Sequence, residues 1–137
     1  MPIRCDIVTQ DRRLYSGDAD IIVAPGSQGA LGILPHHAPL LTTLSYGVLV
    51  VKRAGNEIAF AIAGGIMEVL PNAVTVLADV GERVDEIDVA RAEAAKARAE
   101  DLLRSSYGES EESRRRAEAS LRRSQLRLDA TRRFRKG

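Results

Sequence analysis

The first 85 residues alternate apolar and polar positions over short runs and nowhere sustain a 3.6-residue period. Runs rich in β-branched residues, "IRCDIVT", "ADIIVAPG", "YGVLVVKRAGNEIAFAIAGG" and "IMEVLPNAVTVLADVGERV", are separated by turn residues, the pattern of strands joined by tight turns. "RAGNE" between "VLVVK" and "IAFAIA" predicts a hairpin with Gly55 and Asn56 at positive φ. Pro71 and Asn72 in "LPNAV" predict a second tight turn. Many short strands with close turns predict an antiparallel β-sandwich or flattened barrel.

The period changes at residue 85. From "DEIDVARAEAAKARAEDLLR" onward there is no Pro, and Gly occurs only at Gly108 and Gly137. Asp85 is the expected N-cap, with Glu86 and Asp88 in the first turn to complement the helix dipole. A first helix is predicted from Ile87 to Ser105, a break at Gly108, and a second helix from Glu111 to Phe134 capped by Ser110. Two helices around a short break make an αα-hairpin. The expected division is therefore a β head over residues 1–85 and a helical hairpin over residues 86–137. The hairpin is poor in bulk: apart from Ile87, Val89 and Phe134 it offers Leu102, Leu103, Leu121, Leu126 and Leu128, and alanine must fill the rest of its buried face. A buried Leu contributes about 1.5–3 kcal/mol, while ordering one residue's backbone costs about 1–2 kcal/mol. Such a hairpin is expected to be marginal, and a marginal element can be moved by a ligand or partner.

Charge sharpens the division. Residues 1–85 carry 6 basic and 9 acidic side chains, residues 86–113 carry 4 and 8, and residues 114–137 carry 10 and 2. The net values of −3, −4 and +8 leave a cationic end with charge to spare for an outside anion. "MPIRCDIVTQ" has no long apolar stretch, so no signal peptide is expected, and no apolar run approaches the roughly 20 residues of a membrane-spanning helix. With one cysteine, Cys5, an internal disulfide and a CxxC motif are excluded. Cys5 falls in a β-patterned run and is expected to be a core residue, with Arg4 on the opposite face.

Few residues carry chemistry. His36 and His37, the only two histidines, are neighbours between Pro35 and Pro39, with no Asp or Glu close by. A metal site needs three or four converging ligands, so neither a metal nor a catalytic role is expected, and both read as loop residues. "AIAGGIMEV" lacks the GK[ST] ending of a phosphate loop and opens no helix; Gly64 and Gly65 are expected to bend or bulge the chain between strands. Arg91 and Arg98 lie two turns apart on one helical face, and Arg123 and Arg127 one turn apart on the next helix. If the helices lie antiparallel, the four guanidiniums can converge on a polyphosphate. The same spacing also suits a solvated charged face. Asp88 stands where it can orient Arg91 or accept from an adenine amino group.

"PGSQGALGILPHHAPLLTTLSYGVL", "IAGGIMEVLPNAVTVLADVGERVDEIDVARA" and the hairpin together resemble the epsilon subunit of bacterial F-type ATP synthases over nearly the whole chain. The resemblance implies a non-catalytic rotor subunit, with no catalytic cofactor or metal, peripheral on the cytoplasmic face of the cell membrane. The head would dock to the gamma subunit of the central stalk and to the membrane c-subunit ring, coupling proton-driven rotation to ATP synthesis. His36, His37, Ala38, Pro39 and Leu40 would belong to its stalk- and ring-facing end. The hairpin would fold against the head or extend along gamma, where its basic residues meet the catalytic beta and alpha subunits and inhibit ATP hydrolysis. "IDVARA" matches the family's ATP-sensing motif, so Asp88 and Arg91, with Glu82, Arg98, Arg123 and Arg127 at matching positions, would bind ATP as a regulatory ligand. Departures occur at Gln28 and Ala30, where acidic residues are common, at His36, where Asn or Gly is common, and at Ile66, where Phe is common. Two rivals stand behind this reading. A nucleic-acid adaptor could use the basic tail, but only Phe134 is there for a base to stack on. An enzyme would need a converging acid–base pair. Neither nucleic acid nor direct membrane insertion is expected.

Overall fold

The computed structural model describes residues 2–105 and 110–135. The chain divides into two compact units, one up to Val84 and one from Asp85 onward.

The first unit holds eight strands: β1 Ile3–Val8, β2 Arg13–Ala19, β3 Ile21–Gly26, β4 Gly29–Ile33, β5 Leu40–Arg53, β6 Asn56–Leu70, β7 Ala73–Ala78 and β8 Gly81–Arg83. They hydrogen-bond in the order β2-β1-β7-β6-β5-β3-β4, with β8 beside β6, so the sheet is not closed and β2 and β4 are its edges. Two strands are much longer than expected: β5 has 14 residues and β6 has 15, against a usual five or six. Their ends serve different neighbours. In β6, Phe60–Ile62 pair with β8 and Gly65–Leu70 with β7. In β5, Ile22 and Val23 of β3 lie opposite Val51 and Val50. Inward side chains from the whole path, among them Cys5, Ile7, Ile22, Leu49, Phe60, Met67 and Val76, form one core, with Tyr15 edge-on to Phe60.

The bend in β6 is built at the glycine pair. Gly64 and Gly65 have φ of 85° and 139°, which side-chain-bearing residues rarely adopt. A Cβ on Gly65 would come within 2.3 Å of the Leu77 carbonyl oxygen. The pair lies within one strand where it changes neighbour, not between two strands. Asp79 N–H donates to Gly64 O at 3.0 Å and Ala63 N–H to Val80 O at 2.8 Å across the bend.

Two expectations for the head need correction. The sheet is not wholly antiparallel: β1 runs parallel to β7, with Cys5 opposite Val74 and Ile7 opposite Val76. Alternation has a period of two in either direction and so does not encode strand polarity. In the "RAGNE" turn, positive φ falls on Ala54 (50°) and Gly55 (82°), and Asn56 is already in β6 opposite Arg53. Ala54 N–H donates to Asp20 Oδ2 at 2.8 Å, which ties the turn to the start of β3. The edge strands β2 and β4 have few buried side chains, Leu14, Ala19 and Ile33, and so leave a faint pattern. Cys5 is fully buried, and burial, with the Asp6 charge adding, pushes its thiol from 9.0 up to about 12.

The second unit opens with a 3-10 turn, Val84–Glu86, followed by helices α1 Val89–Arg104 and α2 Glu111–Phe134. The N-cap of α1 is Asp88, not Asp85: its Oδ1 accepts the Arg91 backbone N–H at 3.1 Å, while Asp85 and Glu86 lie in the 3-10 turn. Asp88 takes the extended backbone of a cap, which leaves its short carboxylate in reach of an amide three residues on. Ser110 caps α2 as expected, accepting from Ser113 N–H at 3.1 Å. The expected break at Gly108 lies outside the described residues. Every buried residue of the two helices is small: Ala92 and Ala99 on α1, and Ala117, Ser124, Ala130 and Thr131 on α2. No leucine of either helix is buried, and Leu102 is 55% exposed. No described helix is long and apolar enough to cross a membrane.

Candidate docking face and regulatory hairpin

The His36 loop is held by its backbone. His36 stands at φ 66°, in the left-handed region that Asn and Gly occupy most readily, and its N–H donates to Pro71 O at 2.9 Å. His37 N–H donates to Leu34 O at 3.2 Å, and its Nδ1 lies 2.8 Å from Ala38 O. His36, Ala38 and Pro39 are exposed, and His37 and Leu40 half-buried. The loop therefore abuts the turn between β6 and β7 and presents its side chains outward. Among the described residues no His, Cys, Asp and Glu group could hold a metal.

Beside that turn the outward face of the sheet is unexpectedly apolar. Outward positions pair across the strands: Leu77 with Ile66 and Ile66 with Thr43, then Glu68 with Leu41, then Ala73 with Leu70. Leu41 is 70% exposed, Leu77 52%, Leu70 46% and Ile66 45%, and Leu34 of the His36 loop is exposed as well. Exposed large aliphatic side chains are individually ordinary, but four on adjoining strands beside an apolar loop form a contiguous patch of the kind that marks a protein–protein surface. The face continues onto β1 and β2 as a polar border. There Ser16 Oγ–H donates to Asp6 Oδ1 at 2.7 Å and Arg4 pairs with Asp6 at 3.4 Å. The Ser16 hydrogen bond, with Arg4 adding, holds the Asp6 carboxyl below its usual range. The sequence reading stopped at Leu40 and missed this patch, because alternation shows which side chains share a face but not whether anything covers it.

The six candidate ATP residues are divided. Glu82 lies on β8 in the first unit, and Asp88, Arg91, Arg98, Arg123 and Arg127 lie in the second. Asp88 and Arg91 are joined, though through the Arg91 main chain rather than its guanidinium. Arg91 and Arg98 are exposed on α1, while Arg123 and Arg127 are half-buried on α2. A groove between the helices is lined instead by Val89, Glu93, Lys96, Ala97, Glu100, Leu128, Thr131 and Arg132, with none of the six in its wall.

The basic stretch is partly neutralised from within. Arg115 pairs with Glu111 at 3.4 Å, Arg116 with Glu112 at 3.2 Å and Arg114 with Glu118 at 3.4 Å, all one turn apart and all exposed. Such pairs add a few tenths of a kcal/mol each, but they answer the first three arginines locally. The excess of basic residues in the sequence then falls from residue 122 onward, where Arg122, Arg123, Arg127, Arg132, Arg133, Arg135 and Lys136 accompany one acidic residue, Asp129. The i, i+4 spacing of Glu and Arg was the available signal for this.

A family model described as "ATP synthase, Delta/Epsilon chain, beta-sandwich domain" matches residues 2–84, and one described as "ATP synthase, Delta/Epsilon chain, long alpha-helix domain" matches residues 85–132. The ATP synthase epsilon chain of Herpetosiphon aurantiacus is 49% identical over 128 residues, covering 93% of each chain. That of Dehalococcoides mccartyi is 45% identical over 134 residues, covering 98% of this chain and 95% of the relative. Among solved structures, a chain in the cryo-EM structure of the Euglena gracilis mitochondrial ATP synthase shares the fold, with a TM-score of 0.79 at 23% identity over 95% of this chain and 81% of that one. The chain belongs to the ATP synthase delta/epsilon family and is an epsilon chain, a subunit of a multisubunit synthase rather than an enzyme by itself.

Proposed function

We propose that the chain is a central-stalk rotor subunit whose head transmits rotation and whose hairpin restrains ATP hydrolysis. The observation that carries this is the contrast between the units. The head packs a core of bulky side chains such as Phe60, Ile62 and Met67, whereas the hairpin buries only Ala, Ser and Thr within its helices. A rigid body suits torque, and a thinly packed one suits a switch.

In this reading the apolar face of Leu41, Ile66, Leu70 and Leu77 meets the gamma subunit, and the adjoining loop from His36 to Leu40 meets the c-subunit ring. The synthase then lies peripherally on the cytoplasmic face of the membrane, driven by protons. The cationic surplus of α2 docks on acidic surfaces of the catalytic beta and alpha subunits when the hairpin extends. ATP opposes this by binding the closed hairpin through Asp88, Arg91, Arg98, Arg123 and Arg127. Ligand at 100 times its dissociation constant stabilises the form it binds by about 2.7 kcal/mol, comparable with one or two buried leucines, and enough to tip a hairpin so thinly packed.

Two experiments test the two ends. Capture of the gamma subunit by the full chain should be lost in Ile66→Glu and Leu77→Glu, which put a charge into the patch; retention in both would remove the patch from the interface. Calorimetry of the full chain with ATP should show binding that Arg91→Ala and Arg123→Ala each weaken about tenfold or more, the loss of one charge-assisted bond. Absence of heat and of thermal shift at millimolar ATP would leave these arginines as a docking face only.

A further inference from the structure

A helical hairpin is closed covalently at its turn and non-covalently at its mouth, where the start of the first helix meets the end of the second. Among the described residues, Arg135 spans the mouth. Arg135, the C-cap of α2, donates from Nη2 to the Ile87 carbonyl oxygen at 2.6 Å, across 48 residues of sequence.

Both partners suit the bond. Ile87 immediately precedes the N-cap Asp88, and the ladder of α1 begins with Ala92 N–H donating to Asp88 O at 3.0 Å. The Ile87 carbonyl therefore stands outside the α1 ladder and is open to an outside donor. At the other end, the Arg135 backbone N–H returns to Thr131 O at 3.1 Å, which anchors the residue to α2. Its positive charge also lies where the carbonyl end of the helix dipole favours it. A charge-assisted bond of this kind outweighs any single contact made by the alanines, serine and threonine buried in the helices.

We propose that Arg135 is the clasp of the closed hairpin: its bond to Ile87 sets how often the mouth opens, and thereby how often α2 is released. The inference rests on the reading of the hairpin as a mobile arm. It adds that the arm is held at the C-cap of α2, immediately beside the Asp88–Arg91 pair.

The test is amide hydrogen exchange on the full chain, which registers rare openings as faster exchange. In Arg135→Ala the α1 amides of residues 92–95 should exchange about tenfold faster, the loss of one charge-assisted bond, while amides in β5 and β6 keep their wild-type rates. Arg135→Lys, which retains a charged donor on a shorter head, should show a smaller increase. Unchanged exchange at residues 92–95 in Arg135→Ala would overturn the clasp. Faster exchange throughout both units would also overturn it, because the residue would then support folding in general. If exchange rises only in the hairpin but ATP hydrolysis by the assembled complex does not fall, the clasp stands and the inhibitory-arm reading fails.

Discussion

Ala54 is the residue at which the head works against its own sequence. It holds a left-handed backbone at φ 50° with only the Asp20 carboxylate to secure its N–H, a conformation that costs a residue with a Cβ about 1–2 kcal/mol. Asn suits that position of a two-residue hairpin, so Ala54→Asn should raise the melting temperature of the first unit by about 4–8 °C for each kcal/mol recovered. A lower melting temperature would contradict the turn assignment. Gly65 is the opposite case, since a Cβ there meets the Leu77 carbonyl at 2.3 Å. Gly65→Ala should cost more than about 3 kcal/mol, read as a shift in the denaturant midpoint, and an unchanged midpoint would remove the bend from the account. Cys5 gives a pH signature. Below about pH 9 the thiol is neutral folded and unfolded, so it contributes no pH dependence. Above that the unfolded chain releases a proton that the folded chain keeps until about 12. Stability should therefore fall by about 1.4 kcal/mol per pH unit across that window, and Cys5→Ala should remove that slope. An identical alkaline slope in both proteins would mean that the thiol is not held in the core.

At the scale of elements, the cap of α1 carries the sharpest consequence. Asp88 is both the cap and a member of the proposed ATP set, and Asn caps as well as Asp while lacking the charge. Asp88→Asn should keep the helicity seen by far-UV circular dichroism, whereas Asp88→Ala should lower it, at a cost of about 0.5–2 kcal/mol. Equal helicity in the two would remove the cap from Asp88. The helices were largely legible in the sequence, since Ser110, Glu111 and Phe134 stand where pattern and capping put them. The start of α1 was not, because Asp85 and Asp88 are both capping residue types and only the 3-10 turn at Val84–Glu86 moves the cap on to Asp88. In the head, the core strands and the Pro71–Asn72 turn could be read from alternation and turn chemistry. The parallel β1–β7 pair could not, nor could the edge strands, which bury too few side chains to mark a pattern. The candidate site was legible as a set of spaced charges. The exposure of Leu41, Ile66, Leu70 and Leu77 was not, because it depends on what the fold leaves uncovered.

For the whole molecule, the two units should be separable. The strands and the bulky core end by Val84, so residues 1–84 should fold alone, with a structured near-UV circular dichroism spectrum, and still capture the gamma subunit. A molten spectrum would mean that the hairpin is part of the head's core. The central claim, that the head couples while the hairpin restrains, is tested most directly by ATP hydrolysis in assembled complexes containing either the full chain or a chain ending at Ser105. The truncated chain lacks α2 and with it the cationic surplus. It should assemble, support coupled synthesis close to that of the full chain, and hydrolyse ATP faster. Equal hydrolysis rates in the two complexes, or failure of the truncated chain to assemble, would contradict the account.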